Sequence, residues 1–591
     1  MINFSNLEKN RITEFIKYSL NYNSLELEVR MKQELNQENF INIIKKLKLN
    51  KFKDISSNMS SLDIFFENYK NVRLSIHDDK NINIFCNKNS ITQIKDNIEF
   101  IEKNRFSVKN KEIRPLDLRN YDLRLNLKEE KLLKLTNKKV LVILSKIKSE
   151  NKKFRYKKRF SFLSKDELFK FDITIIKSSD KNEIRLDKKT LPKREVNDKM
   201  KRYVLKPKNI NLNFYDWWDT VKDDDIVTLR GTILYDELFF KNLKDSNTLT
   251  NNITYEIELE FIGNKNADMI EGGTVDEKHK YIYSKLQENI ELILQAYQEN
   301  DTIITNNEIK KLKHNYINLT GLYKYSDSMP LAITLEKKNI IQLDNKDYIN
   351  SINIRRNYCV TDKTDGERHL LFFNENGELY LINRLNNIKK TGMKCLNNRN
   401  TLLDGEYLIK NKTGKIKKFL VFDLYISNGE DFRERILNRT DKEKSENIIE
   451  LSRLEELDNV LLNMDIENNE NNIIIEKKVF RYGDILEYDN KTQKIIDKYE
   501  TAYIEELNKK NKDIKLINKL ENDIKEAKQD SQIFKESNII LNQINDNLYD
   551  YETDGLIFTP INLKVGEGEM KRNRYGGRWN RVFKWKPSYE N

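Results

Sequence analysis

Proline is almost missing from this chain of 591 residues, which holds six, and glycine is scarce at 17. That excludes Gly/Ser-rich linkers between its parts, and no internal repeat is visible. The three cysteines (Cys86, Cys359, Cys395) and four scattered histidines give neither a disulfide framework nor zinc-ligand spacing. Cys359 reads as a buried strand residue. The N-terminus is polar and no apolar run approaches spanning length, so a signal peptide and a membrane helix are excluded and a cytoplasmic protein is predicted. What is present is charge: 106 Lys and Arg against 94 Asp and Glu, a net +12 within 34% charged residues. A basic excess suits a polyanionic partner, although here it is spread along the chain. The length requires two cores or more. Asn, Lys and Ile dominate, the bias of an AT-rich genome.

The most informative stretch is Lys363-Thr364-Asp365-Gly366-Glu367-Arg368. An Asp-Gly pair between strands is a common tight turn, and the hexapeptide alone reads equally well that way. A lysine nucleophile attacks only as the neutral amine, which needs neighbouring cations or burial. Further on come Leu403-Asp404-Gly405-Glu406, Phe419-Leu420-Val421-Phe422-Asp423, Asp554-Gly555-Leu556-Ile557-Phe558 and Lys584-Trp585-Lys586-Pro587. Most are short apolar or alternating strands with a charged residue at one end.

In this order the five segments resemble motifs I, III, IIIa, IV and V of the covalent nucleotidyltransferases, the mRNA capping guanylyltransferases and ATP-dependent polynucleotide ligases. The resemblance implies that Lys363 is the nucleophile. It implies that Lys584 and Lys586, alternating on one strand, contact the α-phosphate. Asp554 matches the acid that holds the catalytic Mg²⁺ or Mn²⁺. Glu406 matches a ribose contact, and Arg368 and Arg384 resemble ribose and phosphate contacts. The base is expected between Ile557 and one aromatic of motif IIIa. Strand parity puts Phe419 and Phe422 on opposite faces, so only one of them stacks. The wording around these motifs, with Met329-Pro330-Leu331 upstream, resembles the GTP-using capping branch, where Lys478 falls at a guanine-contacting lysine.

The first half carries strictly alternating strands. Glu26, Glu28 and Arg30 share one face of Leu25–Arg30, and Glu256, Glu258 and Glu260 one face of Tyr255–Phe261. Each alone reads as a half-buried strand with its acids in water. Between them lie basic strands, with Arg155, Lys157 and Arg159 alternating, a run from Tyr121 with Asp122, Arg124, Asn126 and Lys128, and Asp172 in Phe171–Thr174. Together they resemble the triphosphate tunnel metalloenzymes, whose closed antiparallel barrel points acids at a divalent cation and bases at the triphosphate.

The expected fold class is therefore α+β. An antiparallel β tunnel or barrel (1–275) leads through a helical connector (276–314) to a nucleotidyltransferase domain (315–591) of antiparallel sheets and flanking helices. A helical insertion is expected at about 440–550, and the first domain is expected to end near Gly272-Gly273. The chain runs four residues past Pro587, so a complete C-terminal oligonucleotide-binding domain is not expected, nor is a methyl-donor motif. The resemblance implies a bifunctional mRNA capping enzyme of the large DNA virus or cytoplasmic linear plasmid type. It would remove the γ-phosphate of 5′-triphosphate RNA and transfer GMP from GTP through Lys363. Its implied partners are a viral or plasmid RNA polymerase, a separate cap methyltransferase or chain supplying the missing module, and no membrane. The alternatives are an ATP-dependent polynucleotide ligase and a non-catalytic basic RNA-binding subunit. Completeness of the motifs argues against the latter.

Overall fold

A computed structural model of the chain describes residues 2–33, 35–57, 59–94, 96–185, 233–263, 274–322, 329–341, 351–414, 417–439, 450–467, 473–483, 486–509, 512–529, 532–569 and 575–587. It divides into two units, Met1–Ile303 and Ile304–Asn591. The expected domain end at Gly272-Gly273 lies outside the described residues.

Eight strands of the first unit close into an antiparallel barrel. They are β1 (Leu25–Met31), β2 (Ser60–Phe66), β3 (Val72–His77), β4 (Ile98–Arg105), β5 (Leu123–Leu133), β6 (Lys152–Leu163), β7 (Phe169–Ser178) and β8 (Thr254–Phe261). The order around the barrel is β1-β8-β7-β6-β2-β3-β4-β5, and β5 returns to β1. Closure removes the exposed edges that an open sheet would leave. Because side chains alternate, one parity of each strand faces in and the other out. Here the outward parity is the apolar one. Leu25, Leu27 and Val29 of β1, Leu123, Leu125 and Leu127 of β5, and Ile257 and Leu259 of β8 pack under three helices, α1 (Asn6–Asn21), α2 (Gln37–Leu49) and α3 (Val275–Gln298). Each fully buried Leu or Ile contributes about 1.5–3 kcal/mol, so the stability of the barrel sits on its outside and the lumen is left for polar groups. Ser5 with Glu8 and Thr274 with Glu277 form capping boxes that start α1 and α3.

The segment expected as a connector is divided between the units. Ile282, Leu286, Ile290 and Ile293 of α3 belong to the core of the first. The next helix, α4 (Asn306–Thr320), opens the second, where Tyr316 packs edge-on against Phe372. Its capping box is Thr305 with Glu308.

The second unit holds two sheets. The first has the order β9-β19-β18-β10-β17, from β9 (Leu331–Thr334), β10 (Tyr358–Thr364), β17 (Arg481–Tyr482), β18 (Thr553–Pro560) and β19 (Arg578–Trp585). The second runs β13-β12-β11-β14-β15, from β11 (Glu367–Phe373), β12 (Glu378–Asn383), β13 (Ile388–Lys394), β14 (Thr401–Leu408) and β15 (Lys417–Ser427), with β16 (Ile473–Lys477) also on β15. Pairing is antiparallel except for β9 with β19 and β15 with β16. The helical insertion is shorter than expected. α5 (Arg453–Leu462) and β16 and β17 pack into the sheets, leaving α6 (Leu486–Leu507), α7 (Ile514–Gln529) and α8 (Gln532–Asn545) as the inserted helices. Even α8 gives Ile533 and Ile540 to the core beside β10 and β18.

Candidate functional site

Inward parity gathers the charged residues of the first unit around a cavity of about 610 Å³. Of the residues expected there, Glu26, Glu256, Glu258, Glu260, Arg155, Lys157, Arg159 and Asp172 all line it. Antiparallel register sets β1 and β8 side by side, with Glu28 opposite Glu260 and Arg30 opposite Glu258. Glu28 is 1% exposed and lies behind the lining, tied by Lys128 at 2.8 Å and Arg30 at 2.9 Å. Glu256 is the outer member, 44% exposed at its side chain and paired with Arg155 at 2.7 Å. Arg159 donates to Asp172 at 2.7 Å, and Lys170 bridges Asp172 and Glu260.

Two members of the basic run from Tyr121 are elsewhere. Asp122 precedes β5 with a left-handed backbone and accepts from Gln33, and Arg124 is paired with Asp117. Sequence reasoning missed Asp63, Arg73, Lys103, Glu130 and Lys170, which also line the cavity. The signal was available for Asp63, a lone acid in the apolar strand Ser60–Phe66.

The cavity is an acid-rich field balanced by built-in cations. Burial pushes the Glu26 carboxyl up to about 7; Lys103, 2.5 Å away, opposes this, and Glu260, Glu28 and Glu130 add to it. Burial works against Glu258 too, yet Arg30 and Arg159 hold it at about 2. Among the described residues no three carboxylate, imidazole or thiolate groups converge closely enough to hold a metal ion. The acids are kept apart by the lysines and arginines between them. Their chemistry fits a hard divalent cation only in kind, since every donor is a carboxylate oxygen and Glu26, Glu258 and Glu260 line the same cavity.

The second unit has a pocket of about 370 Å³ lined by Lys363, Arg368, Arg384, Glu406, Phe422, Lys478, Ile557 and Lys584, all anticipated from the sequence, together with Asp423 and Tyr425. Lys363 is the next-to-last residue of β10, and the Asp365-Gly366 turn leads into β11. Gly366 is required there, because a Cβ would stand 2.8 Å from the side chains of Glu406 and Leu408.

Of the two aromatics, Phe422 faces the pocket and Phe419 does not. Phe419 is fully buried in the core with Val421 and Leu424. The register between β14 and β15 slips twice, from Asp404↔Asp423 to Gly405↔Val421 and from Leu402↔Ile426 to Leu403↔Leu424. The extra residues are Phe422 and Tyr425, and both line the pocket. A bulge re-aims a side chain that simple alternation would place elsewhere.

Several of these residues are also held by other groups of the protein. Lys478 is buried, and its Nζ donates to the Asp362 carbonyl oxygen at 2.7 Å, with the Asp362 carboxylate at 3.3 Å. It is thus tied to the strand that carries Lys363. Arg368 lies with its guanidinium 5.2 Å from the Phe422 ring and grips the Asp404 carboxylate, which Tyr425 also engages. Lys586 follows the last residue of β19 and is 57% exposed; it pairs with Asp554 at 2.5 Å instead of lining the pocket beside Lys584. Lys363 donates to the other oxygen of Asp554 at 2.6 Å. Burial works against the Asp554 charge, but these two bonds hold its carboxyl below the usual range. Burial raises Glu406 to about 7, with Lys478 and Arg368 opposing. Behind the pocket Arg453, fully buried, donates to both oxygens of Asp423.

The chain matches the family described as mRNA capping enzyme, catalytic domain, over residues 298–482, the stretch that contains Lys363, Glu406, Phe422 and Lys478. A probable mRNA-capping enzyme of Acanthamoeba polyphaga mimivirus is 27% identical over 324 residues, 52% of this chain and 23% of that protein. The chain therefore spans about a quarter of the length of that relative. A solved structure of the RNA triphosphatase domain of a mimivirus mRNA capping enzyme is similar at 21% identity and a TM-score of 0.29, over 50% of this chain and 99% of that one. A second, of Mimivirus capping enzyme triphosphatase, gives 20% identity and a TM-score of 0.27 over 49% and 98%. No helix among the described residues is long and apolar enough to cross a membrane.

Proposed function

We propose that the chain caps RNA in two steps, one in each unit. The observation that carries this reading is the pairing of a closed barrel whose lumen is lined by acids and bases with a capping-enzyme pocket that ends in Lys363. In the barrel, Arg155, Lys157 and Arg159 bind the triphosphate of an RNA 5′ end; water attacks the γ-phosphorus, the bond to the β-phosphate oxygen breaks, and inorganic phosphate leaves the diphosphate end. A divalent ion, Mg²⁺ or Mn²⁺, would be held by the lining acids Glu26, Glu258 and Glu260, drawn together from the spacing seen here with Glu28 behind them, and would supply positive charge to the phosphate oxygens. Glu256, more exposed, lies at the margin of that set.

In the pocket, Phe422 and Ile557 sandwich guanine, and Glu406 receives a ribose hydroxyl. Lys363, having left Asp554 and lost its proton, attacks the α-phosphorus of GTP. A P–N bond forms, the bond to the β-phosphate oxygen breaks, and pyrophosphate leaves. The diphosphate end of the RNA then displaces Lys363, which regains a proton. Lys584, Arg384 and Lys586 meet the growing charge on the phosphates. Asp554 would hold a divalent ion here. Lys478 and Arg368 act by fixing the Lys363 strand and the Phe422 ring. The substrates are thus GTP and 5′-triphosphate RNA, with an RNA polymerase and a cap methyltransferase as working partners in the cytoplasm.

Two labels test the reading. With [α-³²P]GTP and a divalent ion the chain should become covalently labelled, and Lys363→Ala should remove the label while γ-phosphate release from triphosphate RNA persists. Glu258→Gln should do the reverse. Preferential labelling by ATP would move the chain to the ligases, and loss of both activities in either variant would refute the division of labour.

A further inference from the structure

We propose that Asp63 is a positioning residue for the cations of the barrel cavity, aiming the Lys157 ammonium and the Arg73 guanidinium at the polyphosphate. The inference rests on the triphosphatase reading above. Asp63 is out of place among the cavity acids. It stands on β2, whereas the glutamates assigned to the metal stand on β1 and β8. It is 1% exposed, and an acid so buried stays ionised only with partners. Those partners are Lys157 Nζ at 2.5 Å and Arg73 Nη1 at 3.7 Å, both to Oδ2, and the Ser75 hydroxyl, which donates to Oδ1 at 2.8 Å. The register puts Asp63 opposite Arg155 on β6 and Ser75 on β3, so it shares the inward parity of the phosphate-binding row.

The charged groups facing Lys157 are Asp63 from β2, Arg73 from β3, Arg159 beside it on β6 and Glu258 from β8. Burial drives its ammonium below the ordinary lysine range, Arg159 and Arg73 push the same way, and Asp63 opposes them. Arginine does not lose its proton, so in this crowded row any failure of charge falls on the lysine. A carboxylate on the wall side of the row therefore neutralises the mutual repulsion of the cations before substrate arrives. It also leaves their remaining N–H groups for the lumen.

The test measures binding of inorganic tripolyphosphate and the kinetics of γ-phosphate release from triphosphate RNA, between pH 6.5 and 9.5. Asp63→Asn should weaken tripolyphosphate binding about 10–100-fold at pH 8, the scale of one charge-assisted bond, and raise KM more than it lowers kcat. Its affinity should also fall away at lower pH than that of the wild type, as Lys157 gives up its proton. Adding Lys157→Arg to Asp63→Asn should restore alkaline binding, because the guanidinium stays charged. A merely structural role for Asp63 predicts no such rescue, and failure of the rescue overturns the proposal, as does an Asp63→Asn variant with wild-type affinity and pH profile. If Asp63→Asn does not fold, Ser75→Ala serves instead: a several-fold loss in the same pH direction supports the inference and an unchanged profile overturns it. A wild-type chain that neither binds tripolyphosphate nor releases γ-phosphate overturns the triphosphatase reading and this inference together, whereas an active wild type with an indifferent Asp63→Asn overturns the inference alone.

Discussion

Lys363 Nζ stands 2.6 Å from Asp554 Oδ1, a bond between the end of β10 and the start of β18 across 191 residues of sequence. Lys586 takes the second oxygen of the same carboxylate. The acid thus balances two ammonium groups that would otherwise repel each other beside the pocket of the second unit. In Asp554→Asn both lysines lose that counter-charge and the pocket loses its proposed metal ligand. Lysyl-GMP formation should fall by about 100-fold or more, the scale seen when one preorganised electrostatic group is removed from a reacting phosphate or carbonyl. Single-turnover labelling with [α-³²P]GTP measures it, and a loss below tenfold would take Asp554 out of the chemistry.

Phe419 and Phe422 should separate stability from binding. Truncating Phe419 to Ala opens a hole in a fully buried cluster and should cost about 3–5 kcal/mol, seen as a lower unfolding midpoint in denaturant. Phe422→Ala should leave that midpoint nearly unchanged and raise KM for GTP, because its ring lines the pocket. Equal effects of the two substitutions on KM would mean that the bulge in β15 does not set the stacking residue.

Glu406 is buried enough for its carboxyl to sit near 7, above its unfolded value. The sign follows. Between about pH 4.5 and 7 the folded state holds a proton that the unfolded state has released, so this group favours folding below that window and weakens it as pH rises through 7. Glu406→Gln should therefore stabilise the second unit at pH 8 by about 1–3 kcal/mol and have little effect at pH 4.5. At the same time it should impair GMP transfer, because the ribose contact is lost. Thermal melts at the two pH values, run beside the labelling assay, check both halves.

Glu26 obeys the same sign in the first unit, with its carboxyl also pushed up to about 7. A divalent ion binds the carboxylate and not the acid, so Mg²⁺ or Mn²⁺ should raise the unfolding temperature of the wild type more at pH 8 than at pH 5.5. Glu26→Gln should abolish that difference and γ-phosphate release, while keeping the barrel folded without metal. A melting shift that is the same at both pH values would place the metal away from Glu26.

The sequence by itself determined the parts that depend on local pattern. Alternation in Leu25–Arg30 and Tyr255–Phe261 announced strands with all their acids on one face, and the motif resemblance around Lys363, Glu406, Asp554 and Lys584 pointed to one candidate pocket. Period-two patterning is a property of neighbouring residues, so it survives without any knowledge of the fold. Tertiary structure decided what depends on register and closure. Alternation had already put Phe419 and Phe422 on opposite faces, and packing decided which is which: Phe419 went to the core and Phe422, at a bulge in β15, to the pocket. The boundary between units fell after α3 because its apolar face found the barrel's outer surface. Lys478 became a tie to Asp362, and Asp63 an inward-facing acid among cations, only because distant strands were brought within hydrogen-bond reach. Pattern says which way a side chain points, but only closure of the barrel and pairing of the sheets supplies the charge it meets there.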